Sequence, residues 1–404
     1  MNTLICILGA AAALVLLGVA AELGVRRWLR HWGRYYVWSP GLRLHLHPDR
    51  EVFPELEPLA RIEINGYGER GDEVPALGKN LYRILVAGGS PTECALLDQP
   101  TSWPGLLQRL LEKPDHLRVL GASRVHVGNI GFSGVASQHL DLIFERVLPR
   151  YRRLGTIIIM IGGNDVFQWL QKGAPASVQP SPLPASEVFS CHPEGPFDWT
   201  PRKLALVQLV NRGRQRWLRP VKVADHSGKW VGRARAMRAK AKEVRTTVSD
   251  PAGMLDHFEY HFRSLLLKAK AHADRILVVR QPWFERDYTP EEAAHLWHGS
   301  MGDPTGKEEV SVYYSFEVVS WLMACMDARA AKVTDELCLE QLNLMPLLEP
   351  SLKTYYDFIH FTPSGAKAVA EAVAKAILLQ HVSMKERATR FSEDDLALVP
   401  RSAG

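Results

Sequence analysis

Apolar runs of strand length recur along this chain, and helical patterns separate them. The first, Arg83-Ile-Leu-Val-Ala87, ends at Gly88-Gly89, and a later one, Thr156 to Ile161, ends at Gly162-Gly163. The other strand-like runs are 125–127 and 275–279, and the helical patterns cover 103–111, 137–148 and 255–271. Alternating strands and helices predict an α/β fold with a parallel sheet covered on both faces.

The last helical pattern has clear limits. Thr362 is a good N-cap, Pro363 suits the first helical position, and an Ala-rich run continues to Leu379. In parallel sheets, ligands bind outside the carboxyl ends of the strands. The glycine-containing turns after the predicted strands are therefore the places to search for a site.

Composition narrows the class of protein. The 404 residues are 46% hydrophobic and 23% charged, as in ordinary globular proteins. One α/β domain with long insertions and two compact domains both fit this length. A net charge of +5 gives no case for nucleic-acid binding. The five cysteines have no CxxC or zinc spacing, so we interpret them as mostly free thiols.

The N-terminus contains a candidate membrane anchor. No charge occurs from Leu4 to Ala21, Glu22 interrupts, and Leu23 to Val25 continue the apolar run. This length is barely enough to cross a core of about 30 Å. A signal peptide cut after Ala21 is the main alternative, and a buried helix is a weaker one. A signal peptide usually has positive charge before its apolar run, and Asn2-Thr3 supplies none. We therefore expect a retained transmembrane anchor over 1–25.

Sidedness stays open at this point. Arg26, Arg27, Arg30 and Arg34 follow the anchor, and the positive-inside rule would put them in the cytoplasm. With the aromatic residues among them, they could equally form an interfacial collar on either side. We assign 26–80 to this collar, a linker and an edge strand at 61–65.

A basic insertion lies between the third and fourth strands, over 173–250. Its first part is rich in proline, and residues 202–245 carry fourteen Lys or Arg against Asp225 and Glu243. One interpretation is a cap or arm that meets anionic lipid headgroups or an anionic glycan. The other is a solvated helical face that aids solubility.

Polar residues with a possible catalytic use follow the predicted strands. Ser90 comes after Gly88-Gly89, on a turn where a base could approach its hydroxyl, although such a serine could also be a helix N-cap. Gly134 follows the second strand and could offer its N–H, or simply form a turn. Asn164 follows the third strand and could donate to an oxyanion or cap a helix.

The fourth element, Asp357-Phe-Ile-His360, stands just before the terminal helix. A spacing of three can put both side chains on one face of a turn, so that the carboxylate orients the imidazole. An isolated pair of this kind would usually lie at the surface. Trp283, after the fourth strand, could line the pocket or belong to the core.

Together, Gly88-Gly89-Ser90, Gly134, Gly162-x-Asn164-Asp165 and Asp357-x-x-His360 resemble the four sequence blocks of the SGNH (GDSL-like) hydrolase family, in the family's order. The resemblance covers about residues 83–380, apart from the insertion. One residue departs from it, because Gly89 stands where the family usually has aspartate. We assign 81–385 to an SGNH hydrolase domain and 386–404 to a C-terminal tail.

The resemblance implies a three-layer, flavodoxin-like fold and a serine esterase without a metal or organic cofactor. Ser90 would be the nucleophile, His360 the base and Asp357 its orienting partner. The Ser90 N–H, the Gly134 N–H and the Asn164 side chain would form the oxyanion hole.

The substrate would be an acylated small molecule, an envelope glycan or a lipid, and the resemblance favours an extracytoplasmic catalytic domain. An acyltransferase with the same site, or a membrane-tethered binding or scaffold protein with an unused site, are the alternatives. Nothing in the sequence indicates the oligomeric state.

Overall fold

The computed structural model describes residues 2–75, 80–178, 181–195, 197–306 and 308–397. Helix α1, Asn2–Trp32, comes first, and strands β1, Arg43–Pro48, and β2, Ala60–Glu63, come after it. The later strands are β3 (Leu81–Gly88), β4 (Arg124–Asn129), β5 (Leu154–Met160), β6 (Val221–Ser227), β7 (Glu243–Arg245), β8 (Ala273–Arg280), β9 (Val312–Tyr314) and β10 (Glu340–Asn343). The later helices are α2 (Ser90–Glu93), α3 (Trp103–Leu111), α4 (Pro114–Leu120), α5 (Ser137–Val147), α6 (Gly163–Gln171), α7 (Ala185–Val188), α8 (Ala205–Leu218), α9 (Lys229–Ala239), α10 (Ala252–His272), α11 (Pro290–His295), α12 (Phe316–Glu336) and α13 (Pro363–Ala397).

The main sheet has the order β10-β8-β5-β3-β4, and every neighbouring pair in it is parallel. Numbered along the chain, this is the 2-1-3-4-5 order of flavodoxin-like folds. Helices α3 and α13 pack together, while α5, α10 and α12 form a second packed group. Right-handed crossovers put these two groups on opposite faces of the sheet. The predicted three-layer α/β fold is therefore confirmed.

The centre of this sheet is apolar along its whole length. Residues 157–160 of β5 and 84–87 of β3 are all buried. A parallel strand that is covered on both faces has no solvent-exposed side. Its residues are therefore apolar throughout and do not alternate between apolar and polar. The order reverses between β3 and β5, and such a switch point opens a crevice at the carboxyl ends of the two strands.

Helix α1 is long and apolar enough to cross a membrane by length and composition. The most apolar 18-residue window of Ile5–Trp32 has a mean hydropathy of 2.3, and only 6% of that window is buried. An N-terminal signal sequence has the same properties. The helix therefore agrees with an anchor without deciding between the two.

Glu22 interrupts the apolar run of α1 for a structural reason. Its carboxylate accepts hydrogen bonds from the N–H groups of Ala205, at 2.8 Å, and Leu206, at 3.0 Å, at the start of α8. Arg26, one turn further along α1, donates to the same carboxylate at 2.7 Å. Glu22 thus caps a helix of the basic insertion and joins it to α1.

The basic insertion is only partly a solvated surface. Its strand β6 pairs in parallel with β1, which also pairs with β2, so β2 is an edge strand of a separate three-stranded sheet. Its helix α8 has exposed apolar residues, among them Trp217, which is 85% exposed. Its helix α9 turns Arg235 and Arg238 inward, where they donate to main-chain carbonyls. Neither sequence-based interpretation of the insertion anticipated these inward arginines.

The terminal helix begins where the sequence predicts. Thr362 accepts a hydrogen bond from the Gly365 N–H at 3.1 Å, and Pro363 is the first helical residue. The prediction of its end was wrong, because α13 continues past Leu379 to Ala397. The polar residues after Leu379 lack the apolar spacing of a core helix, and that change suggested an end. Residues 398–404 of the predicted tail lie outside the described residues.

Candidate active site

Ser90 stands at the first turn after the central strand β3. The backbone can bend there because Gly88 and Gly89 have no side chains: a Cβ on Gly88 would lie 2.1 Å from the Met160 carbonyl oxygen of β5. Gly89 is the N-cap of α2 and Ser90 its first residue, with no side-chain cap. The alternative interpretation of Ser90 as an N-cap is therefore wrong, and its hydroxyl is free for another partner.

That partner is His360. The Nε2 atom of His360 lies 2.7 Å from the Ser90 Oγ, and its Nδ1 atom lies 2.8 Å from the Asp357 Oδ2. The imidazole stacks on Tyr356, with ring centroids 5.4 Å apart and planes 6° from parallel. Residues 270 positions apart in the chain thus form one continuous hydrogen-bonded row.

Asp357 is fully buried, and both oxygens of its carboxylate accept hydrogen bonds. Oδ1 accepts from the N–H groups of Ile359, at 3.0 Å, and His360, at 2.9 Å, while Oδ2 accepts from Trp297 Nε1 at 3.0 Å. Burial alone would raise the pKa of Asp357, but the neighbouring His360, through its charge and its hydrogen bonds, holds the pKa well below its ordinary value. The carboxylate therefore stays ionised beside the imidazole.

Possible oxyanion donors come from three different turns. Ser90, Gly134 and Asn164 line one cavity of about 390 Å³, together with His360. Across the described segments, no hydrogen bond uses the N–H of Ser90 or of Gly134. Asn164 Nδ2 donates to the Val135 carbonyl at 3.0 Å, which leaves its second amide hydrogen for another acceptor. All three residues therefore face the same cavity.

The surroundings of Gly89 account for a glycine at this position. A Cβ at this position would lie 2.9 Å from the Asn164 Nδ2, closer than Cβ contacts normally occur. A larger residue here would have to displace the amide of Asn164. Gly134 is required for a different reason, because its φ of +80° lies in the left-handed region that favours glycine.

Glu93 fixes the loop that carries Gly134. Its Oε2 accepts hydrogen bonds from both the N–H and the hydroxyl of Ser133, each at 2.5 Å. Burial raises the pKa of Glu93, although the Ser133 hydrogen bonds and the Arg70 charge oppose this increase. Arg70 is itself buried and donates to the Cys94 carbonyl at 2.8 Å. Sequence reasoning missed this role, since a glutamate in a first helical turn usually serves the helix dipole.

Asp165 holds the other side of the same loop. It accepts from the N–H of Ser137, at 3.0 Å, and from the Ser137 hydroxyl, at 2.5 Å, at the start of α5. Burial raises the pKa of Asp165 to about 6, against the opposing effect of the Ser137 hydrogen bonds. Two buried acids, Glu93 and Asp165, therefore fix the loop between β4 and α5.

Aromatic rings form the far wall of the cavity, and sequence reasoning found none of them. Trp297 stacks on His298 at 3.8 Å and meets Trp230, from the basic insertion, edge-on at 5.1 Å. Burial lowers the pKa of His298 to about 3, so this imidazole is neutral. Arg238 donates to the carbonyls of His298 and Tyr314. No periodicity or motif marks these positions; Trp283, which the sequence offered as a wall, is buried in the core.

His298, Asp357 and His360 are also the kind of residues that bind metals. Their potential ligand atoms lie within 4.8 Å of one another. However, both ring nitrogens of His360 already have hydrogen-bond partners, Asp357 and Ser90. The cluster therefore fits a hydrogen-bonded row better than a set of free metal ligands.

Solved structures that the chain resembles include two hydrolases. One is Axe2, an acetylxylan esterase from Geobacillus stearothermophilus, at 14% identity and a TM-score of 0.38. The other is LAE5, an alpha/beta hydrolase enzyme from the metagenome of Lake Arreo in Spain, at 12% identity and the same TM-score. Each match covers 73% of this chain and 94% of the other chain. No protein-family model and no curated protein matches the chain.

Proposed function

We propose that this protein is a serine esterase, with Ser90 as nucleophile, His360 as general base and Asp357 as the group that orients the base. One observation carries the proposal: the row from the Ser90 Oγ through His360 to Asp357, with contacts of 2.7 and 2.8 Å. A serine hydroxyl becomes nucleophilic only when a base can take its proton, and this row provides one.

The reaction has two steps. The Ser90 Oγ attacks the ester carbonyl as its proton moves to Nε2 of His360, and the imidazolium then protonates the leaving alcohol. The Ser90 N–H, the Gly134 N–H and the Asn164 amide stabilise the oxyanion. Water, activated by the same imidazole, next attacks the acyl-enzyme, which releases the carboxylic acid and restores the Ser90 hydroxyl.

Hydrolysis of 4-nitrophenyl acetate tests the proposal. We expect Ser90→Ala and His360→Ala each to reduce kcat by about 10³-fold or more. The double variant should be no slower than either single one, because residues that act as a unit are not additive. Ser123→Ala, at an exposed serine outside the cavity, is the control. Equal rates for Ser90→Ala and wild-type protein would refute the assignment.

We also propose that α1 remains in the mature protein as a single membrane span, with the catalytic part on the extracytoplasmic side. Its length and apolar composition support the span. The exposed Arg27, Arg30 and Arg34 then lie among lipid headgroups.

The exposed thiol of Cys338 allows a test of sidedness. A membrane-impermeant maleimide added to intact cells should label Cys338, as mapped by mass spectrometry. Labelling that appears only after lysis would place the catalytic part in the cytoplasm. The apparent mass of the membrane-bound protein distinguishes a retained helix from a cleaved one.

A further inference from the structure

The cavity at Ser90 does not end at the reacting atoms. Gln168, whose Nε2 donates to the Gly134 carbonyl at 2.7 Å, lines this cavity and also a second one of about 300 Å³. Gln138 and His257 line the second cavity and a third of about 570 Å³ between α5 and α10. Since each cavity shares wall residues with the next, the three lie in a row that leads away from the active site, and we call this row the groove.

The groove is long compared with a simple ester. Its third part extends along α5 from Gln138 to Glu145. Seven residues of α-helix span about 10 Å. The bond that Ser90 would attack thus lies at one end of the groove, and the rest of the groove has room for several further groups of a substrate.

The groove is lined by groups that both donate and accept hydrogen bonds. The amides of Gln168 and Gln138 have this property, and so does the neutral imidazole of His257, a form that burial favours by lowering the pKa. Tyr260 adds an aromatic ring that is 70% exposed at the far end. Hydroxyl groups and the apolar face of a ring are what these side chains would bind.

Among the residues that the structure describes, the wall of the groove has no excess of positive charge. Asp141, at its far end, is paired with Lys268 at 2.6 Å and with His261 at 3.0 Å. Lys172 and Glu145 also line it, and Asp165 adds a third carboxyl group to its wall. The lining therefore favours an uncharged occupant over a polyanion.

We propose that this groove binds the sugar chain of an O-acylated, uncharged oligosaccharide or polysaccharide while its ester group lies at Ser90. The proposal rests on the esterase function above and adds the substrate class. A long acyl chain would require a continuously apolar wall, which the amides and imidazole interrupt. Extended peptides usually bind through main-chain hydrogen bonds at a sheet edge, and helices border this groove.

Activity as a function of sugar-chain length tests the proposal. O-acetylated cello-oligosaccharides and chito-oligosaccharides, from disaccharide to hexasaccharide, serve as probes, and 4-nitrophenyl acetate is measured in parallel. For wild-type protein we expect kcat/KM to rise with length in at least one series and then level off. Gln138→Ala and Tyr260→Ala should each reduce the ratio of hexasaccharide to disaccharide activity by about three- to tenfold.

Trp321→Ala is the matched control, since Trp321 is a half-exposed aromatic residue on α12 that lines none of these cavities. Cleavage of 4-nitrophenyl acetate with no length dependence in either series would overturn the groove assignment and leave the esterase standing. Calorimetric titration of Ser90→Ala protein with the hexasaccharides reports on the groove without turnover. Binding that Gln138→Ala weakens, in a protein that cleaves no ester, would support the groove and refute the esterase.

Discussion

The indole Nε1 of Trp297 donates a hydrogen bond of 3.0 Å to Oδ2 of Asp357, the same oxygen that lies 2.8 Å from His360 Nδ1. Trp297 is itself buried and stacks on His298. A residue 60 positions away in the chain therefore helps to hold the carboxylate in the plane where it can orient the imidazole.

Trp297→Phe keeps an aromatic ring and removes this donor. A hydrogen bond to a charged group contributes about 1.5–3 kcal/mol, so we expect kcat for 4-nitrophenyl acetate to fall by about tenfold or more. Trp321→Phe, at the half-exposed tryptophan of α12, should leave kcat unchanged. A kcat within experimental error of wild type for Trp297→Phe would show that the main-chain donors to Asp357 suffice without it.

Glu93→Ala releases the loop of Ser133 and Gly134 by removing the carboxylate that both Ser133 donors use. Loss of one oxyanion donor costs about 10²-fold or more in kcat, and we expect a loss of that size when Gly134 is displaced. Glu93→Gln should recover part of the rate, because its carbonyl oxygen still accepts a hydrogen bond. Glu112→Ala, at the end of α3, is the control. Equal losses in the Ala and Gln variants would contradict a positioning role through Ser133.

Arg238→Met removes the donors that connect α9 of the basic insertion to the carbonyls of His298 and Tyr314. Methionine fills much of the same volume but leaves these carbonyls unpaired, so the free energy of unfolding should fall by about 2 kcal/mol. Urea denaturation measures this change. Lys229→Met, at an exposed lysine of the same helix, should have little effect. Equal stability of the two variants would argue that α9 does not support the site.

Asp165 makes stability depend on pH. Its pKa is raised from 3.8 to about 6, so between these values the folded state keeps a proton that the unfolded state has lost. The free energy of unfolding therefore falls as pH rises from about 4 to about 6, in total by about 3 kcal/mol from this group. Below both pKa values the contribution is absent. The buried acid Glu93 adds a contribution of the same sign.

Asp165→Asn should flatten this part of the pH-stability curve, because an amide does not ionise. Chemical denaturation at a series of pH values measures the slope. Asp115→Asn, at a carboxylate on α4 that is 80% exposed, should keep the wild-type slope. An unchanged slope in Asp165→Asn would mean that the pKa of Asp165 is not raised.

The fold and the turns around the cavity could be predicted because their signals are local. Each apolar run with its glycine turn identifies a strand and the loop at its carboxyl end, and parallel topology then brings Ser90, Gly134 and Asn164 to one edge of the sheet. The Asp357 and His360 pair adds a spacing that fits a single turn. These signals need no knowledge of distant contacts.

The remaining parts of the site depend on contacts between distant segments. Trp297, Trp230 and Arg238 come from irregular stretches or from the basic insertion, where no periodicity indicates which side chains turn inward. Glu22 interrupts an apolar helix in the sequence, and only its partners on α8 explain it. The groove beyond Gln168 likewise forms between helices that are separated along the chain.

Covalent labelling of the nucleophile tests the central claim most directly. Folded protein is incubated with a fluorophosphonate probe, digested, and analysed by mass spectrometry to identify the modified residue. We predict a single adduct on Ser90, and none in His360→Ala protein, because the hydroxyl is activated only through the 2.7 Å contact with His360. Labelling of a different serine, or no labelling of folded wild-type protein, would contradict the account.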